Sequence, residues 1–356
     1  MTNPYRDLPD HTRWNRAVAR VAPEAFDPVT HFPFRIGRRT RVATAGSCFA
    51  QHIAQHLREA GYTVLVTEDG HPMGGEALKE RFGYGVFPAR FGNIYTARQL
   101  RQLFARAFGR FAPALEPWRT PEGGVLDPLR PTIQPDGFAS ERELELDRAQ
   151  HLRAVRRMFE TLEVFVFTLG LTEGWVDRAS GAALPLCPGV AGGVFDPATV
   201  RFNNATATEV ADDMAAFLRD LAAVNPGARV ILTVSPVPLA ATALDRHVAV
   251  STSSSKASLR VACEELAARF GHVAYFPSYE VITSAPERYF AADRRSVTEA
   301  GVAHVMRLFF AHATDPEGMN TAPPTPADPG PAIGFEARMA EVVAVLCDES
   351  RLDAVG

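Results

Sequence analysis

The chain has 356 residues, of which 46% are hydrophobic and 22% charged, enough for one large domain or two small ones with a buried core. A net charge of −4 excludes a surface-wide basic field, so general nucleic-acid binding is not expected, although of the 37 basic residues only Lys79 and Lys256 are lysines. Cys48, Cys187, Cys263 and Cys347 form no C-x-x-C pair and fit no zinc module, so neither a metal, another cofactor nor a disulfide framework is expected. The N-terminus lacks the apolar centre of a signal peptide and no apolar run reaches membrane-span length, so a cytoplasmic protein is expected.

Residues 1–38 are rich in proline, arginine and aromatics and read as an arm with one short helix. The main domain is expected over 39–313. RVATAG (41–46) reads as a buried strand, and the helix that follows carries Phe49, Ile53 and Leu57 on one face and stops at Gly61. YTVLV (62–66) reads as a second strand, which completes a βαβ unit and implies a parallel sheet. TARQLRQLFARAF (96–108) is an amphipathic helix, and 109–140 reads as loop. A helix over 147–162 leads into a strand at VFVFTLG (164–170), and 175–186 has the turn signals of a small hairpin.

A helix over 207–224, a strand at RVILTVS (229–235), a helix over 254–270, a strand at VAYFP (273–277) and a helix over 298–312 complete the domain. Residues 314–333 read as a proline-rich tether, and 334–356 carry an amphipathic helix that docks on the domain or engages a partner. Five strands alternating with helices predict an open, doubly wound α/β sheet, with ligands beyond the carboxyl ends of the strands.

Three strand ends carry chemistry: Gly46-Ser47, Gly170-Leu171-Thr172-Glu173 and Ser235-Pro236. Ser47 opens a helix, where backbone N–H groups and the helix dipole favour an alkoxide or a neighbouring oxyanion. The same placement suits a plain N-cap serine.

The stretch Gly46-Ser47-Cys48-Phe49-Ala50 spells GSCFA and resembles the signature of the GSCFA domain family, itself similar to the SGNH (GDSL-like) hydrolases. Five further stretches resemble family blocks in the same order, beginning at Phe91, Thr168, Ser235, Ser255 and Tyr275. The resemblance implies a three-layer α/β/α, flavodoxin-like fold with about five parallel strands. It implies Ser47 as the nucleophile, with Cys48 beside it, and Gly92 of the Gly92-Asn93 pair as a backbone oxyanion donor. Gly170, Thr172 and Glu173 match the third block, where the wider superfamily has asparagine and aspartate in place of threonine and glutamate, which implies that with Cys48 and Asn93 they bind the oxyanion or substrate: Gly170 and Thr172 as donors, Glu173 orienting a base or contacting a substrate hydroxyl.

In the last block Asp293 stands in register with the superfamily's aspartate, but Ser296 occupies the histidine position. A serine cannot take up the nucleophile's proton near neutral pH. His247, in the loop after the strand at 229–235, is the first choice of substitute base. His71, His304, His52 and His56 are the other histidines weighed, and Lys256 is a base of another type. Trp175, Tyr279 and Phe290 either line a sugar- or acyl-binding cleft or belong to the core. The expected function is a serine esterase or O-acyltransferase acting on an ester of a small molecule or carbohydrate. The alternative is an altered member that binds a carbohydrate or protein partner without hydrolysis, and a geometric test separates the two: the first needs a base within reach of Ser47.

Overall fold

The structure, a computed structural model, describes residues 3–47, 49–70 and 75–315. The expected tether and C-terminal helix lie outside these residues, apart from Thr314 and Asp315, as do Cys48 and His71. The arm contains three short helical turns, Asp10–Thr12, Asn15–Ala19 and Pro23–Ala25, where one helix was expected. Its end is fastened to the domain: the Ile36 N–H donates to the Ala313 carbonyl (2.8 Å), and the Asp315 N–H donates back to Ile36 (3.1 Å).

Strand β1 (Val42–Gly46) leads into α1 (Phe49–Glu59). Helices α2 (Glu76–Arg81) and α3 (Ala97–Ala107) follow, the latter started by a capping box in which Thr96 and Gln99 satisfy each other's backbone N–H. The expected loop at 109–140 contains a small antiparallel ribbon, β2 (Trp118–Arg119) and β3 (Val125–Leu126). Helix α4 (Glu141–Thr161) begins earlier than the apolar spacing predicts, because Ser140 accepts from the Glu143 N–H and caps it.

Next come β4 (Val164–Leu169), β5 (Glu173–Asp177), β6 (Ala183–Leu184) and β7 (Val200–Asn204). The rest is α5 (Ala207–Val224), β8 (Arg229–Val234), α6 (Val248–Arg269), β9 (Val273–Tyr275), α7 (Ser278–Thr283), α8 (Pro286–Tyr289) and α9 (Glu299–Ala313).

The main sheet has four parallel strands in the order β1-β4-β8-β9. The segment 62–66, expected as a fifth strand, lies on the free side of β1 but pairs only through a parallel bridge between Val42 and Val64. Its ladder stops at Leu65, and Thr67 is drawn away: its N–H and hydroxyl both donate to the Pro88 carbonyl, and the hydroxyl also to that of Ala154.

Alternation along the strands divides the core into two layers. Phe165, Phe167 and Leu169 face α3, α4, α5 and α6, while Val164 and Val166 face α1, α7, α8 and α9. The result is the expected three-layer α/β/α arrangement. The first layer is aromatic, with Phe104 and Phe159 centroids 5.1 Å apart, and each buried phenylalanine contributes about 2–3 kcal/mol. The expected hairpin is β5 with β6. Strand β7 joins the other edge of β5 to make a second, three-stranded antiparallel sheet beside the carboxyl end of β4.

Candidate active site

The chain returns from beyond β1 to form β4 beside it, so the crevice between these two strands is where the strand order reverses. Gly46 ends β1 there with φ +138°, and a Cβ on it would stand 2.3 Å from the Thr168 carbonyl oxygen. Only a glycine lets the two strands lie this close while the chain turns. Ser47 is thereby placed in the crevice, and its carbonyl accepts from Ala50 N–H (2.9 Å) as α1 starts. Its side chain does not cap the helix. The hydroxyl is buried and has no hydrogen-bond partner among the described residues. An unmet buried hydroxyl costs about 1–3 kcal/mol unless water or a ligand meets it.

Gly170 forms the facing wall. A Cβ on it would lie 3.3 Å from the Ser47 Cβ and 3.2 Å from the Tyr95 carbonyl oxygen, a tight fit that a larger residue would enter only if these neighbours shifted by a few tenths of an ångström. The N–H groups of Gly170 and Leu171 both donate to the Tyr95 carbonyl at 3.0 Å. Lys256, fully buried on α6, donates from Nζ to the Gly170 carbonyl at 2.8 Å. The Phe91–Ile94 segment is held against β1 by the Ile94 N–H, which donates to Gly46 O (2.9 Å). Within it Gly92 has φ +72°, and its N–H has no acceptor among the described residues. Asn93 is buried beside it.

Two of the expected donors are committed elsewhere. The Gly170 N–H is taken by Tyr95. The Thr172 hydroxyl donates to Asn204 Oδ1 (2.6 Å) on β7, and its N–H donates to Ser255 Oγ (3.1 Å). Glu173 accepts from the Thr242 hydroxyl (2.8 Å) and the Ala243 N–H (3.4 Å), which anchors the loop after β8.

Asp293 and Ser296 lie in a tight exposed loop closed by the Phe290–Val297 bridge, with Arg294 in the left-handed region at φ 54°. The Ser296 hydroxyl donates to Asp293 (2.6 Å), and the N–H groups of Arg295 and Ser296 both donate to the same carboxylate (2.9 Å). Burial opposes ionisation, but these donors prevail and hold the Asp293 carboxyl below its ordinary value. Asp293 is therefore satisfied by its own loop and orients no imidazole among the described residues.

His247 is exposed, and its Nδ1 accepts from the Ala249 N–H (3.2 Å), which makes it the N-cap of α6. That cap also starts α6 before the expected Ser254. His304 bridges the Tyr289 hydroxyl (2.7 Å) and the Phe26 carbonyl (2.9 Å), a structural fastening for the arm. His52 packs edge-on against Phe49, and burial, then the neighbouring His56, lower its pKa to about 4. His56 Nδ1 lies 2.8 Å from the His52 carbonyl one turn back. Ser47 Oγ is thus hydrogen-bonded to no histidine among the described residues.

Next to this wall opens a cleft of about 300 Å³, lined mainly by apolar groups and bounded by Tyr95, Leu171, Glu173, Trp175, Phe202 and the loop after β8. Trp175 is held edge-on between Phe195 (5.3 Å) and Phe202 (5.6 Å), so of the three aromatics singled out in the sequence this one lines the cleft. Tyr279 and Phe290 pack against the two core layers. Tyr95 belongs to the block that begins at Phe91, while Thr242 and Phe202 carry no motif that marks them in the sequence.

Among the described residues no group of three or more His, Cys, Asp or Glu is arranged to hold a metal ion, and no helix is long and apolar enough to cross a membrane. A search of curated proteins finds no match to the chain. The model of the GSCFA family matches residues 41–309. That span holds both core layers, the Ser47 crevice and the Asp293 loop, and the chain belongs to the GSCFA family.

Proposed function

We propose that this protein is a serine esterase or O-acyltransferase of SGNH-like type, with Ser47 as nucleophile and an acylated small molecule or carbohydrate as substrate. The observation that carries this reading is the buried Ser47 hydroxyl, unpartnered among the described residues, at the β1–β4 crevice beside an aromatic-walled cleft. Ser47 Oγ attacks the ester carbonyl, the alkoxide leaves with a proton, and an acyl-serine remains. Water then releases an acid, or a second hydroxyl takes the acyl group. The Gly92 N–H, without an acceptor among the described residues, supports a role in receiving the oxyanion.

With Ser296 in the histidine position, proton transfer falls to Lys256. Its amine shares the Gly170 peptide with Ser47, hydrogen-bonding the carbonyl while Ser47 packs against the α-carbon.

A second reading is favoured by one specific contact, the Ser296 hydroxyl on Asp293. In it the pocket is kept to bind an acylated carbohydrate or a protein partner, without turnover. Hydrolysis of short-chain p-nitrophenyl and acetylated-sugar esters separates the two. The enzyme reading expects turnover by the wild type and its loss in both Ser47→Ala and Lys256→Met. Saturable binding of acetylated sugars with no turnover of any ester supports the second reading.

A further inference from the structure

A polar network is buried behind the Phe91–Ile94 segment. Asp127, fully buried, accepts from Arg130 (3.2 Å) and from Arg148 (3.0 Å). Asp147 accepts from Arg90 (3.0 Å) and Arg130 (2.8 Å). Glu68 accepts from the Arg90 N–H and meets His151 Nδ1, both at 2.8 Å.

Arg106, on the last turn of α3, stands apart from this pairing. It makes no ion pair or side-chain hydrogen bond among the described residues, and its Nη2 is shielded from solvent with no partner. It lines a cavity of about 30 Å³ together with Arg130, Asn93, Gln99 and Gln102. That space holds more than one water molecule and suits the head of a carboxylate.

The charges of the network do not cancel. Arg90, Arg106, Arg130 and Arg148 face Glu68, Asp127 and Asp147, and burial, then Arg130, hold His151 to a pKa of about 4, so it is neutral. One positive charge is left over. Burial lowers the Arg106 pKa to about 10; Asp127 opposes this, and Arg130 and Arg148 add to it. Arg106 therefore still carries its proton at neutral pH. Arg106 is half-buried, with its Nη2 shielded from solvent and without a partner among the described residues, and a guanidinium fork matches a planar or tetrahedral oxyanion better than a point ion.

We propose that this cavity binds a small oxyanion, a carboxylate or a phosphate, on the Arg106 guanidinium. The anion comes either free from solution or as the acidic group of a ligand in the larger cleft, since Gln99 lines both spaces. Only the second source rests on the acyl-ester reading; the site itself does not.

The test uses the full chain. Thermal unfolding is followed against acetate and inorganic phosphate, with chloride at matched ionic strength, for wild type, Arg106→Gln and Arg106→Lys. The expected result is a saturable rise in Tm for wild type with an oxyanion and not with chloride. Apparent affinity should fall at least tenfold in Arg106→Gln. In anion-free buffer that variant should be at least as stable as wild type, because an unpaired, half-buried charge has gone. Arg106→Lys keeps the charge but loses the fork. It should bind several-fold more weakly, and it carries the test should the glutamine variant fail to fold.

No saturable rise in wild type, an equal rise with chloride, or undiminished binding by the variants would overturn the proposal. Competition distinguishes the sources. Displacement of a bound acetylated ligand from the cleft assigns the anion to that ligand's acidic group, and binding without displacement assigns a free anion. Ser47→Ala should bind the anion as wild type does, so a failure of ester chemistry leaves this result standing.

Discussion

Two residues at the end of β1 do different work. Gly46 makes the approach to β4 possible, and Ser47 occupies the crevice that results. Gly46→Ala would place a methyl group 2.3 Å from a backbone oxygen at a φ that L-residues avoid. It should cost about 3 kcal/mol or more, read as a lowered urea midpoint. Ser47 was legible as a candidate through the GSCFA stretch, since the meeting of strand, glycine and helix start suits a plain N-cap equally. Lys256 and Gly170 were each marked in the sequence, but the hydrogen bond between them was not legible, because they are 86 positions apart and no local pattern joins them. His247 was placed on the right side of the sheet by its loop, but a histidine one residue before a helix competes for the cap, and there the Ala249 N–H holds it.

Ser296 tests the missing imidazole directly. Ser296→His restores the spacing to Asp293 that the wider superfamily uses. If the loop carries the ring toward Ser47, ester turnover should rise by roughly 10²-fold, with a new dependence on a pKa near 6.5.

Among the elements, those with a strong local signal were read closely. VFVFTL is buried on both faces and could only be a central strand, and the spacing in α3 and α5 fixed their faces. Segment 62–66 has the same composition but not the same fate, because the carbonyls that capture Thr67 come from residues 21 and 87 positions away. Strand β7 was missed because its sequence, VRFNN, has one buried residue and follows a glycine-rich stretch. It matters to function, since its Asn204 takes the Thr172 hydroxyl and its Phe202 forms the cleft wall.

The junction of α4 with the loop before it depends on Asp127, whose carboxyl is held far below its ordinary value by Arg130 and Arg148 despite the opposing effect of burial. Asp127→Asn leaves those charges uncompensated. It should cost about 3–5 kcal/mol in chemical unfolding.

At the scale of the whole molecule these buried groups set a stability profile. His151 is neutral in the fold, with a pKa lowered to about 4 mainly by burial, against an unfolded value near 6.5. As pH falls through that window the unfolded chain takes up the proton and the folded one does not, so stability drops. Below it Asp127 and the other depressed carboxylates add their own loss. Urea unfolding between pH 7 and pH 4 should show a decline of about 3 kcal/mol attributable to this one histidine. His151→Gln should flatten that part of the curve.

The layered architecture was legible in the alternation of strands and helices, since each element's apolar face specifies which layer it can join. Of the second sheet only the β5–β6 hairpin was legible; the addition of β7 and the closure of the cleft were not, because they are decided by contacts distant in sequence. Ser47 is the proposed nucleophile. Intact-mass measurement of the full chain after incubation with an alkyl fluorophosphonate tests this most directly. A single phosphonyl adduct on wild type, absent from Ser47→Ala, is the predicted result. Full retention of unmodified mass in wild type, or an equal adduct on Ser47→Ala, would contradict it.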